Sequence, residues 1–195
     1  LYRFATFELD TAKAELRADG LPRPVEPQVF ALLTLLVENR ERLTRRLLPG
    51  ALAVVNANDV LPTNADGTLV MRPNSDLFYL SGIEQEESIL LLAPQAFDEK
   101  LREVLFLREP NEHLKTWEGH KLSKEQATRL SGIKHVRWLS EFPTEFHKLM
   151  CEVEHVYLNS NEHKRAVIEV ETRDARFIRS VQARYPLHQY HRLTR

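Results

Sequence analysis

One stretch, from Leu69 to Leu92, limits the possible folds of this chain more than any other part of it. It reads LVMRPNSDLFYLSGIEQEESILLL. In order, it holds a short apolar segment, an Arg-Pro-Asn-Ser-Asp bend, an aromatic segment, a Ser-Gly turn, an acidic turn and an apolar run. Short apolar segments separated by turn residues are typical of strands in a sheet. The stretch therefore predicts three strands joined by turns, and no set of catalytic residues follows it.

The remaining sequence predicts a mixed α/β domain behind a small N-terminal unit. Residues 1–26 alternate in the manner of short antiparallel strands, and a helix is predicted from Pro27 to about Leu47, where Pro49-Gly50 stops it. In the rest of the chain we expect strands at 51–55, 69–71, 77–80, 88–93, 103–107, 135–139 and 153–158, and helices at 123–130, 140–150 and about 161–185.

Composition indicates an ordinary globular protein and excludes several classes. The 195 residues can bury a core, and a net charge of −1 provides no field that would attract nucleic acid or an anionic membrane. The single cysteine, Cys151, cannot form an intrachain disulfide and suits a reducing compartment. The longest apolar run, 29–37, is much shorter than the ~20 residues that cross a bilayer. No signal-peptide pattern opens the sequence, so we expect a cytoplasmic location.

The eight histidines raise the question of a metal site. His113 and His120 are seven residues apart, while His147, His155 and His163 are spaced by eight. None belongs to an HExxH pair, which would place two imidazoles on one face of a helix. Surface histidines are the favoured interpretation.

Nucleophilic, phosphate-binding and calcium-binding motifs have no match either. There is no Gly-x-Ser-x-Gly elbow, and Cys151 has no catalytic signature around it. Six glycines in the whole chain do not form a phosphate loop. The acidic group Glu84, Glu86 and Glu87 could bind a cation, but its spacing is not that of an EF-hand, which favours a solvated turn.

A basic cluster lies in the second half of the first helix, at Arg40, Arg42, Arg45 and Arg46. It could contact phosphate, but residues 1–48 hold eight Lys or Arg against seven Asp or Glu, a net charge of only +1. DNA-binding modules are usually strongly basic. A charged, solvated helix face is therefore favoured.

Trp117 is an aromatic residue in polar surroundings, between His113 and His120. Exposed aromatic residues in polar loops are enriched at interfaces and binding surfaces. Packing of the indole onto the domain's own core is the alternative, and the sequence leaves both open.

Residues 37 to 195 resemble the N-terminal domain of Xaa-Pro aminopeptidases, of the creatinase/prolidase superfamily. The similarity is carried by ENRERL at 38–43, ALAVV, RPNSDLFYLSGIEQEESILLL, HLKTWEGHKL and HVYLNSNEH. It implies a mixed β-sheet flanked by helices, with a ribonuclease H-like layout, that helps to build a homo-oligomer and to shape the substrate cleft. By resemblance, Trp117 points toward the active site of a neighbouring subunit, and the other cleft or interface residues are Arg72, Asp76, Tyr79 and His120.

The same resemblance implies that this chain carries no catalytic residue, metal or cofactor of its own. In the family, two manganese or other divalent ions are held by carboxylates and a histidine of a C-terminal pita-bread catalytic domain. A dinuclear site of this kind activates the water and polarises the scissile carbonyl. The expectation is an accessory domain that is inactive alone, whose partners are that catalytic domain and further copies of itself, with no membrane and no nucleic acid.

Residues 1–46 carry a second resemblance, to the first strands and helix of an OmpR/PhoB-type winged-helix DNA-binding domain. The recognition helix and the wing that would read DNA do not follow. We therefore predict two domains, 1–36 and 37–195, joined as a chimera, a fused reading frame or an exchanged segment. A transcriptional regulator with an α/β sensing domain is the alternative function. Apolar residues of the helix (Phe30, Leu33 and Leu36) are predicted to pack on the α/β domain or on a second copy.

Overall fold

The structure is a computed structural model that describes residues 2–4, 7–64, 67–110, 121–161 and 170–193. Within these residues the strands are β1 (Tyr2–Phe4), β2 (Phe7–Asp10), β3 (Glu15–Ala18), β4 (Leu21–Arg23), β5 (Ala51–Asn56), β6 (Ile89–Leu92), β7 (Glu103–Leu107), β8 (His135–Trp138), β9 (His155–Leu158) and β10 (Gln189–Arg192). The helices are α1 (Pro27–Arg46), α2 (Ser75–Ser81), α3 (Lys124–Ser131), α4 (Phe142–Met150) and α5 (Arg173–Arg184).

The N-terminal strands form a four-stranded antiparallel sheet in the order β1-β2-β3-β4. Leu9 and Leu16 are paired in register and are both buried. Alternation of buried and partly exposed residues along β3 shows that one face of this sheet is covered. The helix α1 follows, with Pro27 at its first position, where the missing N–H costs nothing. The predicted antiparallel strands and the predicted helix are confirmed.

The main sheet has six strands in the order β10-β9-β5-β6-β7-β8. Strand β5 runs parallel to β9, which runs parallel to β10. Strand β6 is antiparallel to both of its neighbours, β5 and β7, and β8 is parallel to β7. Every residue of β5 is buried, as its continuous apolar sequence predicts for a strand covered on both faces.

Two apolar cores lie on opposite faces of this sheet. On one face, Phe106 and its neighbours pack against Phe142, Phe146 and Leu149 of α4 and against Val181 of α5. On the other face the sheet packs against α2, α3 and the second half of α1, through residues that include Leu77, Leu80, Ala127 and Leu43. The fold is thus the mixed β-sheet flanked by helices that was expected.

The segment 77–80 is helical, and the predicted strand there is wrong. Phe78 and Tyr79 favour a strand by propensity, but the residues at the two ends of α2 stabilise a helix instead. The Asn74 side chain caps its first turn, and Gly82, with φ 70°, ends it in a left-handed conformation that favours glycine.

Three other elements differ from the prediction. Residues 69–71 form no strand, and Val70 is 89% exposed there. The last helix begins at Arg173 rather than near 161, because Thr172 caps it; residues 162–169 lie outside the described part. Strand β10, with its polar sequence QYHR, was not predicted.

Arg40 is buried, which corrects the solvated face predicted for the basic cluster. Its guanidinium donates hydrogen bonds to the carbonyl oxygens of Leu80 and Ser131, and it forms an ion pair with Glu103. Arg45 does lie on the exposed face, paired with Glu41 one turn away.

Candidate functional site

A cleft of about 1200 Å³ lies at the carboxyl ends of three parallel strands. Strand β5 ends at Asn56, β9 at Leu158 and β10 at Arg192. Parallel strands end at the same edge of a sheet, so the loops that follow them meet there, and such edges are common ligand sites. The cleft is lined by the loop after β5, the residues after β9 and the first turns of α5.

The Arg-Pro-Asn-Ser-Asp bend forms one wall of the cleft. The Asn74 side chain accepts hydrogen bonds from the backbone N–H groups of Asp76 and Leu77, both at 3.0 Å. Its amide nitrogen donates to Asn58 Oδ1 at 3.2 Å, and Asn58 donates to the carbonyl oxygen of Arg72 at 3.1 Å. These bonds hold the bend against the residues that follow β5, so Arg72 and Asp76 are presented on one surface.

Asp76 joins this wall to the opposite side of the cleft. Its Oδ2 accepts a hydrogen bond of 2.9 Å from the side chain of Asn159, directly after β9. The two residues are 83 positions apart in the sequence. The contact orients a carboxylate that lies in the first turn of α2.

Asp174 is the most perturbed acid of the cleft. It lies in the first turn of α5, after the capping residue Thr172, and its Oδ1 accepts a hydrogen bond of 2.9 Å from Asn56. Burial raises the pKa of the Asp174 carboxyl to about 6, although the Asn56 hydrogen bond and the charge of Arg173 act in the opposite direction. The charge of Asp76 raises this pKa further. Asp174 can therefore gain or lose a proton close to neutral pH.

Arginine residues supply positive charge to the same cleft. Arg173 is partly buried and donates to the carbonyl oxygen of Glu87 at 3.3 Å, and burial lowers the pKa of its guanidinium. Asp59, which lines the cleft, forms an ion pair of 2.7 Å with Arg176, which lies outside the lining. Arg72 is exposed at the rim. The cleft thus holds both signs of charge within one cavity.

Apolar side chains complete the lining. Leu61, Leu69 and Val70 come from the loop after β5, and Val170 precedes α5; all four are exposed. Ile178 of α5 also faces the cavity. The cleft therefore combines apolar surface with polar and charged groups.

The structure brings two of the five predicted site residues together. Arg72 and Asp76 both line the cleft. Tyr79 lies on α2 and is 42% exposed, but it is not part of the cleft lining. Trp117 and His120 lie outside the described residues.

Sequence reasoning missed Asn56, Arg173 and Asp174. A polar residue at the end of the apolar run of β5 was one available signal, since such positions face the carboxyl edge of a sheet. The pattern of Thr172 followed by Asp174 was another, because it marks the start of a helix. Neither signal shows that Asn56 and Asp174 are in contact.

Several histidines of the described segments contact another histidine, a tyrosine or, for His188, the carbonyl oxygen of Met150. His147 Nδ1 lies 2.7 Å from the Tyr185 hydroxyl, and His155 Nδ1 lies 3.1 Å from His191 Nε2. Among the residues that the structure describes, no three His, Cys, Asp or Glu side chains are grouped to hold a metal ion. Over the same residues, no helix is both long and apolar enough to cross a bilayer.

A mixed sheet with helices on both faces and a polar cleft at the carboxyl edge defines the chain as an α/β domain with a small-molecule-sized cavity. Residues 36–157 match the sequence profile of the aminopeptidase P N-terminal domain. The match extends over more than half of the chain, so the chain belongs to this family.

Relatives and solved structures agree with that assignment. The chain is 27% identical to the Xaa-Pro aminopeptidase of Escherichia coli over 67% of its own length and 30% of the relative's. It is also 27% identical to the Xaa-Pro aminopeptidase of Haemophilus influenzae, over 62% of its own length and 27% of the relative's length. A solved structure from Bacillus anthracis, assigned to aminopeptidase P, superposes with a TM-score of 0.72 at 26% identity, over 82% of this chain and 38% of that one. The chain therefore spans about a third of the length of these proteins.

Proposed function

We propose that this chain is the accessory N-terminal domain of an Xaa-Pro aminopeptidase, an enzyme that cleaves the first residue of a peptide from a following proline. The match of residues 36–157 to the N-terminal domain of that enzyme carries the proposal. In this role the domain shapes the substrate cleft and contributes to a homo-oligomer. It is inactive alone, and the protein acts in the cytoplasm.

The chemistry of the reaction supports a catalytic domain that is separate from this accessory domain. Hydrolysis by this class of enzyme uses a pair of divalent metal ions, for which we expect manganese, to activate water and polarise the peptide carbonyl. The described residues contain no group of metal-binding side chains that could hold such a pair. We propose that the metal ions and the catalytic groups lie on a pita-bread domain of the whole enzyme, with which this domain associates.

The first experiment measures peptide hydrolysis by the purified chain. An Xaa-Pro peptide is incubated with the chain and manganese, and the Xaa-Pro aminopeptidase of Escherichia coli serves as the positive control. We expect turnover by the control alone. Turnover by this chain would overturn its assignment as an accessory domain.

A second experiment tests the accessory role directly. Residues 36–195 replace the matching domain of the Escherichia coli enzyme, and the same enzyme without that domain serves as the control. The chimera is expected to cleave the peptide faster than the truncated enzyme and to form a larger assembly in light scattering. A chimera that folds but neither cleaves the peptide faster nor forms a larger assembly than the truncated enzyme would refute the proposal.

The family match and the relatives named above give no support to a transcriptional regulator. The resemblance of residues 1–46 to a winged-helix segment is untested by them, since the profile match begins at residue 36. The division at residue 36 into two domains remains a prediction.

A further inference from the structure

His155 and His191 form a pair outside the cleft, on two adjacent parallel strands. His155 Nδ1 and His191 Nε2 are 3.1 Å apart, although the two residues are 36 positions apart in the sequence. His155 is the first residue of β9, and His191 belongs to β10, the last strand in the order of the main sheet. Neither side chain lines the cleft, and both are partly exposed. The proposed function gives this pair no role.

The main sheet fixes the positions of the two imidazole rings. His191 is paired in register with Tyr157, and Tyr157 is two residues from His155, so all three side chains lie on one face of the sheet. Strand β9 is bonded to β5 on one side and to β10 on the other, which holds the backbone of His155. The ring of His191 stacks on that of Tyr157, with centroids 4.8 Å apart and planes at 23°. Both imidazoles are therefore positioned by the fold itself.

The separation of the two nitrogens suits the chelation of a metal ion. A tetrahedral zinc ion has Zn–N bonds of about 2.0–2.1 Å, which place two imidazole nitrogens about 3.3 Å apart. The distance of 3.1 Å is close to that value, so small rotations of the rings admit an ion. As a hydrogen bond, the contact needs an N–H on one ring and a lone pair on the other. A metal ion replaces that proton and accepts a lone pair from each neutral ring.

The charges around the pair also suit a cation. Four side chains of β9 and β10 share this face, and none carries a formal charge when the imidazoles are neutral: His155, Tyr157, Gln189 and His191. Arg192 alternates onto the opposite face, where it lines the cleft. Because both histidines are partly exposed, water molecules can reach the remaining coordination positions of an ion.

We propose that His155 and His191 bind one divalent transition-metal ion of the class that prefers imidazole, such as Zn²⁺ or Cu²⁺. The two ring nitrogens are its protein ligands, and water fills the other positions. The ion connects β10 to β9 and so stabilises this end of the main sheet. The proposal goes beyond the accessory function and stands independently of it, because both ligands belong to this chain.

A second pair of potential ligands has a less suitable separation. Cys151 Sγ and His147 Nε2 lie 4.0 Å apart. Zinc bonds of about 2.3 Å to sulfur and about 2.0–2.1 Å to nitrogen would place these two atoms about 3.6 Å apart. The histidine pair is therefore closer to the geometry of a bound ion, and His147 provides an internal comparison.

The test is a calorimetric titration of the intact chain with zinc chloride at about pH 7.5, where imidazoles are mainly neutral. We expect saturable binding with a Kd on the order of 10 µM, because two protein ligands provide roughly half of the binding free energy of a structural site with four. Magnesium chloride is expected to give no saturable binding, since Mg²⁺ prefers oxygen ligands. Absence of saturation by zinc at about 1 mM would overturn the proposal.

Variants assign the ion to the histidine pair. His155→Gln and His191→Gln are each expected to weaken zinc binding at least about tenfold, because each removes one of the two protein ligands. His147→Gln is the matched control and should leave the Kd unchanged. Three further histidines lie outside the described residues, so the loss of affinity in the variants, rather than the stoichiometry, assigns the site. Unchanged affinity in the folded His155→Gln and His191→Gln proteins, or a loss in His147→Gln alone, would contradict the assignment.

A second measurement uses the wild-type chain and does not depend on the folding of a variant. Diethyl pyrocarbonate modifies accessible imidazole nitrogens, and mass spectrometry of the digested chain shows which histidines have reacted. Zinc is expected to protect His155 and His191 and to leave His147 reactive. Zinc should also raise the midpoint of thermal denaturation, because the ion binds the folded chain more tightly than the unfolded one. Equal modification of His155 and His191 with and without zinc would overturn the proposal.

Discussion

The guanidinium of Arg40 on α1 forms an ion pair with Glu103, the first residue of β7 and 63 positions later in the sequence. The same guanidinium donates hydrogen bonds to the carbonyl oxygens of Leu80, at 3.0 Å, and Ser131, at 2.9 Å. Leu80 and Ser131 lie in the last turns of α2 and α3, where carbonyls lack partners within the helix. One side chain therefore connects the N-terminal helix to two helices and to the main sheet.

Replacing Arg40 with alanine is expected to lower the free energy of unfolding by about 2–4 kcal/mol. The variant leaves two carbonyl oxygens and the Glu103 carboxylate without their donor. The measurement is urea denaturation followed by circular dichroism. Arg45→Ala is the control, because the Arg45–Glu41 pair is exposed and should contribute about 0.5 kcal/mol or less. Equal losses of unfolding free energy in the two variants would show that the contacts of Arg40 do not stabilise the fold.

Asp174 is expected to make stability depend on pH. Because burial raises its pKa from the ordinary value of 3.8 to about 6, the folded protein binds this proton more tightly than the unfolded chain. The contribution to stability is complete below about pH 4 and is lost as the pH rises through about 6. After allowance for partial exposure, the loss is about 2 kcal/mol.

The check on Asp174 is the free energy of unfolding between about pH 4 and pH 7.5 for the wild type and for Asp174→Asn. Asparagine does not titrate, so the difference between the two curves isolates this carboxyl. Asp98→Asn is the control, since Asp98 is exposed and lies in a turn away from the cleft. A difference curve that stays flat would contradict the assignment.

Asn74→Ala is expected to destabilise the protein by about 1–2 kcal/mol. The change removes the acceptor for two N–H groups of the first turn of α2 and the donor to Asn58. Ser75→Ala is the neighbouring control, and a change within about 0.5 kcal/mol is expected there. If the two substitutions have the same effect in thermal denaturation, the cap is not what starts α2.

Phe106→Ala is expected to cost about 3–5 kcal/mol, because it leaves a cavity in the centre of one core. Phe106 is fully buried, and its ring meets Phe142 edge to face at 5.2 Å. Phe97 is 92% exposed, so Phe97→Ala should change the free energy by about 0.5 kcal/mol or less. Denaturation of the two variants side by side tests the placement of the core.

Trp117 is predicted to be exposed, because polar residues flank it and the family resemblance places it at an interface. The chain has one other tryptophan, Trp138, which is partly buried beneath the Lys124 ammonium. Acrylamide should therefore quench the fluorescence of Trp138→Phe, which keeps Trp117, more strongly than that of Trp117→Phe. The reverse order would indicate that Trp117 packs on its own core.

Local signals in the sequence predicted many elements well. The continuous apolar runs of β5, β6 and β7 and the capping box of α3, formed by Ser123 and Gln126, involve residues close in the chain. Propensity failed at Phe78 and Tyr79, where a cap and a left-handed glycine override the preference of aromatic residues for strands. The failure concerns a helix of only seven residues, too short to show a clear helical period.

Of the cleft, the sequence alone indicated the wall that contains Arg72 and Asp76, since the Arg-Pro-Asn-Ser-Asp bend is contiguous and its family resemblance is specific. The contact of Asn56 with Asp174 joins residues 118 positions apart, and it exists only because β5 is placed in the main sheet with α5 packed against that sheet. The burial of Arg40 has the same origin, since its acceptors come from α2, α3 and β7. Caps and apolar runs depend on neighbours in the chain, whereas burial and proton affinity depend on which distant groups folding brings together.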